Sequence, residues 1–433
     1  MRCVRIAVIV ERSGDFMLHS HSARRNSVVP SLKRPGHRWS GMRFRLTKAL
    51  IVAAVVSTLL PQASAKPKFK ILQTIEGGLF NGLTFDVQGN LYGATGGGGT
   101  GAGTIFELSH GAHGWKLTTI HTFDGEDGGT PSGELIFDTV GNLYGTSPSG
   151  GAYNDAGNVF EMTPGANGWT FSVLYNFCMV YHCPDGADPS GLVMDGSGNL
   201  YGAAGGGDEE GVVYELTPGD EGWTESVLHI FNGDNKNSGI GPSGPLVLDA
   251  AGNLYGTTAT RNIYQSGTVF RLKHRADGKW GFKSLFEFNG TDGLSPYYGV
   301  VFDTSGNLYG TTVAGGPGAG GTVFKLMPTP KGRWKRTLLY DFPNPANGQF
   351  PTSGVTFDQA GNLYGTATGG NPSCSGGCGI VYELSPTVHG KWKYRVLHEF
   401  NGADGFGPGG GLILDAGGNL YGTAYSVVFE ITP

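Results

Sequence analysis

The sequence predicts an all-β chain folded as a seven-bladed β-propeller of four-stranded blades, and two observations carry this prediction. The pattern Asp-x-x-Gly-Asn-Leu-Tyr-Gly occurs seven times, at spacings of 52, 57, 54, 54, 55 and 57 residues. A repeat of that period, built from short apolar runs and glycine-rich turns, is typical of propellers and solenoids. The last unit lacks one strand that the start of the repeat region can supply, which favours a closed ring. The copies begin at Asp86, Asp138, Asp195, Asp249, Asp303, Asp358 and Asp415.

The first 65 residues lie outside the repeat and have the features of an export signal. From Met42, a basic segment is followed by an apolar stretch and by Ala63-Ser64-Ala65, the pattern of a secretory signal peptide. The apolar stretch is too short for a permanent membrane anchor. We therefore expect translation to start at Met42, cleavage after Ala65 and a propeller at residues 66–433. The alternative is that residues 1–41 form a cytoplasmic extension. With a signal peptide of this kind, we expect the protein to be exported to the medium, the cell surface or the periplasm.

The first strand of the repeat region is the predicted closing strand of the ring. Residues 70–75 align with the fourth strand of the sixth unit, residues 395–400, whereas the seventh unit stops after its third strand. A terminal strand that completes the last blade removes the open sheet edges of the array.

Each unit predicts four strands, as residues 299–342 illustrate. Runs rich in β-branched and aromatic residues lie at 299–302, 308–312, 321–326 and 334–342, separated by Gly, Pro, Asn and Asp. Outside the leader, no stretch of ten residues has helical periodicity. In the fourth strand a tryptophan precedes a phenylalanine by eight residues, as in Trp334 and Phe342. An even separation predicts that both rings lie on one face of the strand, with the tryptophan wedged between neighbouring blades.

Charge and cysteine content narrow the classes of partner. Residues beyond 65 include 19 Lys and Arg but 33 Asp and Glu, so their net charge is near −14. That sign disfavours nucleic acids and anionic membranes, and it fits cations or neutral glycans better. Cys178 with Cys183, and Cys374 with Cys378, are close pairs that predict disulfides in an exported protein. A zinc site would require the two pairs to meet in space.

The repeat resembles a known family, the GloVer tandem repeat of exported bacterial proteins. The resemblance rests on the segments Gly-Asn-Leu-Tyr-Gly-Thr, Gly-Thr-Val-Phe and Phe-Asn-Gly-x-Asp-Gly, and it covers residues 70–433. It implies a surface-exported, propeller-like array and no established activity.

Loop lengths predict which face of the disc carries the binding site. Loops between strands two and three and between strands four and one vary in length, whereas the loops of the opposite face are nearly constant. The variable face also holds both cysteine pairs and the acidic turns, including 208–210 and 232–235. Variable loops on a rigid scaffold commonly carry function. The residues we predict for ligand or calcium binding are Asp127, Asp188, Asp292 and Asp404; solvated turns and glycan contacts are the alternatives.

Other motifs predict structure rather than chemistry. The Asp-x-x-Gly-Asn segments predict hairpin turns in which Asp binds the turn backbone. His121, His229 and His398 share a position that is aromatic in other units, which favours a packing slot over a metal site. The first strands are nearly uniform and apolar, which argues against catalysis at the channel wall.

We therefore expect a monomeric, non-catalytic binding or scaffolding module for a glycan or protein ligand. We expect no membrane anchor in the mature chain and no cofactor, with calcium as the one metal that the acidic turns allow. The alternative is a propeller enzyme (a lyase, lactonase or glycan hydrolase) with a site built from rim loops.

Overall fold

A computed structural model describes residues 66–79, 81–207, 210–232, 239–260, 266–343, 347–372, 374 and 377–433. The predicted leader, residues 208–209 and residues 233–235 lie outside this described part. The described chain forms 28 β-strands in seven sheets, so the prediction of an all-β propeller with seven blades is confirmed. Within the same residues, no helix has the length and apolarity that crossing a membrane requires.

The strands follow the chain from blade to blade, and within each blade antiparallel neighbours pair in sequence order. Blade 1 holds β2 (Thr84–Phe85), β3 (Leu91–Thr95), β4 (Thr104–Gly111) and β5 (Gly114–Thr122), and blade 2 holds β6 (Ser132–Phe137), β7 (Leu143–Ser147), β8 (Asn158–Gly165) and β9 (Gly168–Asn176). Blade 3 holds β10 (Ala187–Met194), β11 (Leu200–Gly206), β12 (Val212–Gly219) and β13 (Gly222–Ile230), and blade 4 holds β14 (Ile240–Leu248), β15 (Leu254–Thr260), β16 (Thr268–His274) and β17 (Trp280–Glu287).

Blade 5 holds β18 (Val300–Phe302), β19 (Leu308–Thr312), β20 (Thr322–Pro328) and β21 (Trp334–Asp341). In blade 6 the first strand is divided into β22 (Gln349–Pro351) and β23 (Thr356–Phe357), followed by β24 (Leu363–Thr368), β25 (Ile380–Pro386) and β26 (Trp392–Glu399). Blade 7 holds β27 (Pro408–Leu414), β28 (Leu420–Thr432) and β1 (Lys68–Leu79). The first half of β28 pairs with β27 and its second half pairs with β1, and a positive φ of 43° at Tyr425 marks the change.

The closing strand lies in the predicted register. Lys70 pairs with Glu430, as Arg395 pairs with Glu383 in blade 6, so β1 takes the fourth-strand position of blade 7. Leu72 and Ile75 of β1 are buried against the core between blades 7 and 1. The ring is therefore closed by strands from the two ends of the described chain.

Each junction between blades is packed through aromatic rings. Trp169 of blade 2 meets Tyr92 of blade 1 with ring centroids 5.8 Å apart, and the other five tryptophans of the repeat meet the motif tyrosine of the preceding blade in the same way. The predicted histidine slot is also confirmed, since His121 stacks on Phe171 of the next blade at 4.0 Å. The tryptophans are wedges between blades, as expected.

The prediction that tryptophan and phenylalanine share one face of the fourth strand is wrong. Trp115 packs with the core between blades 7 and 1, whereas Phe123 is fully buried between blades 1 and 2. The cause is a bulge in the pairing of β4 with β5, between Ile105 and Phe106, which adds one residue to the fourth strand. An added residue reverses the alternation, so the strand presents a ring to both neighbouring blades.

The repeated motif residues hold each blade together internally. A Cβ at Gly310 would lie 2.7 Å from the ring of Phe324, so only glycine lets this third-strand ring cover the second strand. At the hairpin, Asp303 accepts hydrogen bonds from the backbone N–H of Ser305 and Asn307 at 2.9 Å and from the Tyr309 hydroxyl at 3.1 Å. The interpretation of Asp-x-x-Gly-Asn as a turn is confirmed.

Candidate binding site at the channel mouth

The innermost strands surround a central channel that opens on the face with the variable loops. Because the strands of each blade alternate in direction, loops two–three and four–one emerge on the same face, which we call the long-loop face. A cavity of about 490 Å³ lies where the first strands begin, next to the four–one loops. Its volume falls in the range of small-molecule pockets.

The walls of this channel cavity are mostly apolar, and glycine backbone narrows it. Leu192, Val247 and Ile413 are examples of its aliphatic lining. Neighbouring first strands approach through backbone atoms, since a Cβ at Gly244 would lie 2.8 Å from the backbone nitrogen of Gly299. The narrow ring of strands thus depends on residues without side chains.

One carboxylate interrupts the glycine ring. Six of the seven residues that precede the first aliphatic residue of a first strand are glycine or proline, and the seventh is Glu134. Its side chain extends from blade 2 over Gly82 of blade 1, where a Cβ would lie 2.5 Å from the Glu134 Cγ, and over Gly411 of blade 7. Two missing side chains therefore provide the space that Glu134 fills. The equivalent residues are Gly82, Gly191, Pro245, Gly299, Gly354 and Gly411.

The Glu134 carboxylate borders the channel cavity and has no hydrogen-bond or ion-pair partner among the described residues. Burial raises the pKa of this carboxyl above its ordinary value. The described residues that line the cavity include no Lys, Arg or His. Glu134 is therefore an acidic group that the described residues of the protein leave unneutralised.

Two adjacent tyrosines break the repeat at another point of the same cavity. Tyr297 and Tyr298, from the loop before β18, line the cavity and pack edge to face with centroids 5.4 Å apart. The Tyr297 side chain is half exposed, and its carbonyl accepts a hydrogen bond from Ser243 of blade 4 at 3.1 Å. Burial raises the pKa of Tyr298 to about 12. The tyrosines add aromatic surface to an otherwise aliphatic wall.

A second cavity of about 500 Å³ adjoins the first over the junction of blades 1 and 2. The two share Asn81 and Ser132 as lining residues. The Asn81 side chain donates a hydrogen bond to the Pro131 carbonyl at 2.6 Å, which ties the two blades together at the boundary. The depression on the long-loop face thus continues beyond the channel.

The structure places the four predicted aspartates at four separate points of the long-loop face, three of them in loops and Asp188 at the start of β10. Asp127 accepts a hydrogen bond from the Asp124 backbone at 3.0 Å and contacts His121 at 2.9 Å. Asp404 likewise accepts one from the Asn401 backbone at 2.8 Å and contacts His398 at 3.1 Å. These carboxylates order their own turns.

Asp292 repeats part of that arrangement and Asp188 does not. Asp292 accepts a hydrogen bond from the Asn289 backbone at 2.9 Å. Asp188 has a positive φ of 55° just before a proline, and burial followed by the charge of Asp155 raises the pKa of its carboxyl. The place equivalent to Asp127 is occupied by Asp185, which accepts hydrogen bonds from Tyr175 at 2.8 Å and from the backbone of Cys178.

The structure does not bring these four carboxylates together. In the described part of the chain, no group of three or more His, Cys, Asp or Glu side chains is arranged to hold a metal ion. Calcium binding at the acidic turns stays a prediction.

Both predicted disulfides are present, Cys178–Cys183 and Cys374–Cys378. Each closes a short loop on the long-loop face. The Cys178–Cys183 loop presents Met179, Val180 and Tyr181 to solvent, with Tyr181 83% exposed. The two pairs do not meet in a common zinc site.

Sequence reasoning missed Glu134 because the first strands were compared from their first aliphatic residue onward. Beginning that comparison one residue earlier isolates Glu134 as the charged member of the set. Tyr298 is found by the same comparison, since the matching positions in other units are small or polar, whereas the position of Tyr297 is also aromatic in the first unit, as Phe80. The signal is a departure from the repeat at an inward position.

Comparisons with known proteins give the family and the fold. A family model described as the Gloeobacter/Verrucomicrobia repeat matches residues 54–238 and 203–428. A comparison with curated protein sequences finds no match.

Among solved structures, a streptogramin B lyase aligns with a TM-score of 0.54 at 16% identity, covering 84% of this chain and 97% of the lyase. An ancestral GH74 enzyme aligns with a TM-score of 0.58 at 12% identity, covering 82% of this chain and 48% of that one. PorZ, a surface component of the type-IX secretion system of Porphyromonas gingivalis, aligns with a TM-score of 0.50 at 14% identity, covering 80% and 46%. The chain spans about half the length of the latter two proteins, and at these identities the likeness concerns the fold alone.

Proposed function

Since the chain belongs to the Gloeobacter/Verrucomicrobia repeat family, we propose that it is an exported, non-catalytic propeller that binds a small ligand in the channel mouth of its long-loop face. The two short-range disulfides support export, because such bonds persist in oxidising compartments. The likeness to a bacterial surface component is in keeping with that location.

The observation that carries the proposal is the channel cavity of about 490 Å³. Its walls are mostly apolar, and they include a few residues that differ in type from the equivalent residues of other blades. Structural positions in this chain are repeated from blade to blade. A residue type that occurs at an inward position in only one or two blades is not required by the common blade structure, which favours a role in binding. Glu134, Tyr297 and Tyr298 are such residues. Concave apolar sites with a few convergent polar groups are the usual form of a ligand pocket.

The test is a thermal-shift screen of the exported protein against a library of small molecules and short glycans. A ligand of the folded state raises the melting temperature with concentration. A Thr356→Trp variant, which places an indole in the channel, is expected to abolish the shift while keeping the melting temperature of the free protein within a few degrees. Hits that are unaffected by this substitution would place binding elsewhere and contradict the proposal.

Calcium binding at Asp127, Asp188, Asp292 and Asp404 is proposed as a separate, weaker property of the same face. Calcium requires six to eight oxygen ligands, so the turns would have to add backbone carbonyls to these carboxylates. We expect millimolar calcium to raise the melting temperature, and Asp292→Ala with Asp404→Ala to reduce the rise. Melting that is flat from zero to millimolar calcium would rule the site out.

A catalytic role is the second candidate, and Glu134 is the observation that favours it. A carboxyl whose pKa burial has raised is suited to general acid or base catalysis. This would move the enzyme hypothesis from the rim loops to the channel wall. Turnover of a bound hit by the native protein, lost in Glu134→Gln with binding retained, would establish it.

A further inference from the structure

We propose that the channel cavity recognises an organic cation, an ammonium group carried on a small apolar body, with Glu134 as its counter-ion. This inference rests on the proposed function, since it names the ligand class of the channel site. It starts from the state of the Glu134 carboxylate in the ligand-free protein.

The charge of the cavity is unbalanced. Glu134 lines it without a hydrogen-bond or ion-pair partner among the described residues, and no described Lys, Arg or His shares the lining. A buried carboxylate without a partner is costly, and the cost is recovered when a cation enters. The net charge near −14 of the residues beyond 65 attracts cations over a longer range.

The remaining lining determines what kind of cation fits. Tyr297 and Tyr298 offer ring faces and edges, and cations are attracted to tyrosine rings. Aliphatic side chains such as Leu192 and Ile413 form most of the rest of the wall. An ammonium group on a hydrocarbon or aromatic body can contact the carboxylate, the tyrosine rings and the aliphatic wall together. Its charge would lie near the carboxylate and its body against the wall.

Other ligand classes match the cavity less well. A calcium ion needs six to eight oxygen ligands, and one carboxylate is far short of that number. An anion would face an uncompensated negative charge. A neutral glycan would leave the carboxylate without a counter-charge and the aliphatic wall facing hydroxyl groups.

Protonation of Glu134 should make cation binding at this site depend on pH. Burial raises the pKa of the carboxyl, so lowering the pH converts the counter-ion to a neutral acid. A bound cation stabilises the ionised form and lowers the pKa again. Tyr297 and Tyr298 are the other titratable residues among the described lining, and burial raises the pKa of Tyr298 to about 12. Cation affinity is therefore expected to fall as the pH is lowered through the pKa of Glu134.

The experiment measures binding of three matched probes to the exported protein by saturation-transfer NMR and titration. Benzylamine carries the cation, benzyl alcohol is its neutral counterpart and benzoate its anionic one. We expect benzylamine to bind at least about tenfold more tightly than the alcohol, and benzoate not to bind. Glu134→Gln, which keeps the shape of the side chain, is expected to remove the preference for the amine. Glu225→Gln, a matched change of a half-buried glutamate outside the cavity, is expected to keep it.

The outcomes separate this inference from the proposed function. Equal binding of amine and alcohol, or an amine preference that survives Glu134→Gln, overturns the organic-cation inference, and so does the failure of all three probes. If such a result comes with a neutral library hit that Thr356→Trp blocks, the channel site stands and only its ligand class is wrong. Amine binding that is lost in Glu134→Gln but unaffected by Thr356→Trp would support the counter-ion while contradicting the channel geometry.

Discussion

Glu134 and Glu225 both stand where other repeats have a different residue type, yet they face different surroundings. Glu225 lies at a blade junction, two residues after Trp223, where other units carry Leu117, Phe171, Phe282, Arg336 and Tyr394. Its Oε1 is buried without a hydrogen-bond partner among the described residues, and burial, followed by the charge of Asp185, raises the pKa of its carboxyl to about 7. Burial raises the pKa of Glu134 as well, but its carboxylate borders a cavity. A raised pKa alone therefore does not mark a functional group; the space that the group faces does.

The largest expected effect comes from breaking the ring that holds Glu134 in place. Deletion of residues 66–76 removes most of β1 and leaves the C-terminal half of β28 as an exposed edge of blade 7, the blade whose Gly411 lies beneath Glu134. It also removes Phe69, which stacks on His398 at 3.7 Å. We expect aggregation or a large drop in melting temperature, together with loss of channel binding.

Calorimetry and light scattering of the truncated and intact proteins measure this effect. A truncated protein that stays monomeric and melts like the intact one would contradict closure by β1. Deletion of residues 66–67 alone, which leaves all of β1 (Lys68–Leu79) in place, is the control.

Glu225 is expected to act on stability with no effect on ligand binding. Because its folded-state pKa is about 7, against an ordinary value of 4.5, its favourable contribution is present below pH 4.5 and is lost as the pH rises through 7. Glu225→Gln should therefore stabilise the protein at pH 8, by about 1–2 kcal/mol after allowance for partial exposure, and much less at pH 4.5. Denaturant unfolding at the two pH values measures the difference, and an equal gain at both would show that charge is not the cause.

The smallest effect is expected at His229, on the other side of the same blade. Burial lowers the pKa of this imidazole from 6.5 to about 4, and its Nε2 is buried without a partner among the described residues. Protonation then favours the unfolded chain, so stability is lost as the pH falls from 6.5 toward 4. His229→Phe, which copies Phe286 of the next unit, should gain about 1 kcal/mol at pH 5 and less at pH 7.

His398 provides the matched control, because its Nε2 contacts Asp404 at 3.1 Å. His398→Phe would leave Asp404 without that contact and should destabilise the protein at pH 7. If both histidine variants respond alike, the difference between a partnered and an unpartnered ring is not what sets their stability.

The sequence predicts the fold well because the repeat states the same information seven times. Strand positions, the Asp-x-x-Gly-Asn turns, the histidine slot and the closing strand all follow from comparing units, and the disulfides follow from the close spacing of the cysteines. The prediction that Trp115 and Phe123 share a face was wrong, because the bulge in the fourth strand cannot be recognised from the residue spacing. Asp188 was chosen over Asp185 because the Cys178–Cys183 loop lengthens that segment and obscures the alignment.

The candidate site was harder to predict because its residues come from separate blades and differ from the residues at the equivalent positions of other blades. Glu134 is visible as an exception in the alignment of units. That its carboxylate lies beside a cavity without a partner depends on Gly82 of blade 1 and Gly411 of blade 7, which lack the side chains that would displace it. Such an arrangement is a property of the closed ring and not of any single repeat.

Closure by β1 also determines when folding of the ring can be completed during synthesis. Residues Lys68–Leu79 are synthesised before every blade, yet their partner is the C-terminal half of β28, at the far end of the chain. Joining segments so distant in sequence is slow and carries the largest loop-closure entropy in the molecule. Until the final residues emerge, each growing intermediate has an unpaired strand at one end and an incomplete blade at the other. A C-terminally truncated chain would therefore leave β1 without its partner strand, and we expect it to be more prone to aggregation than the intact protein.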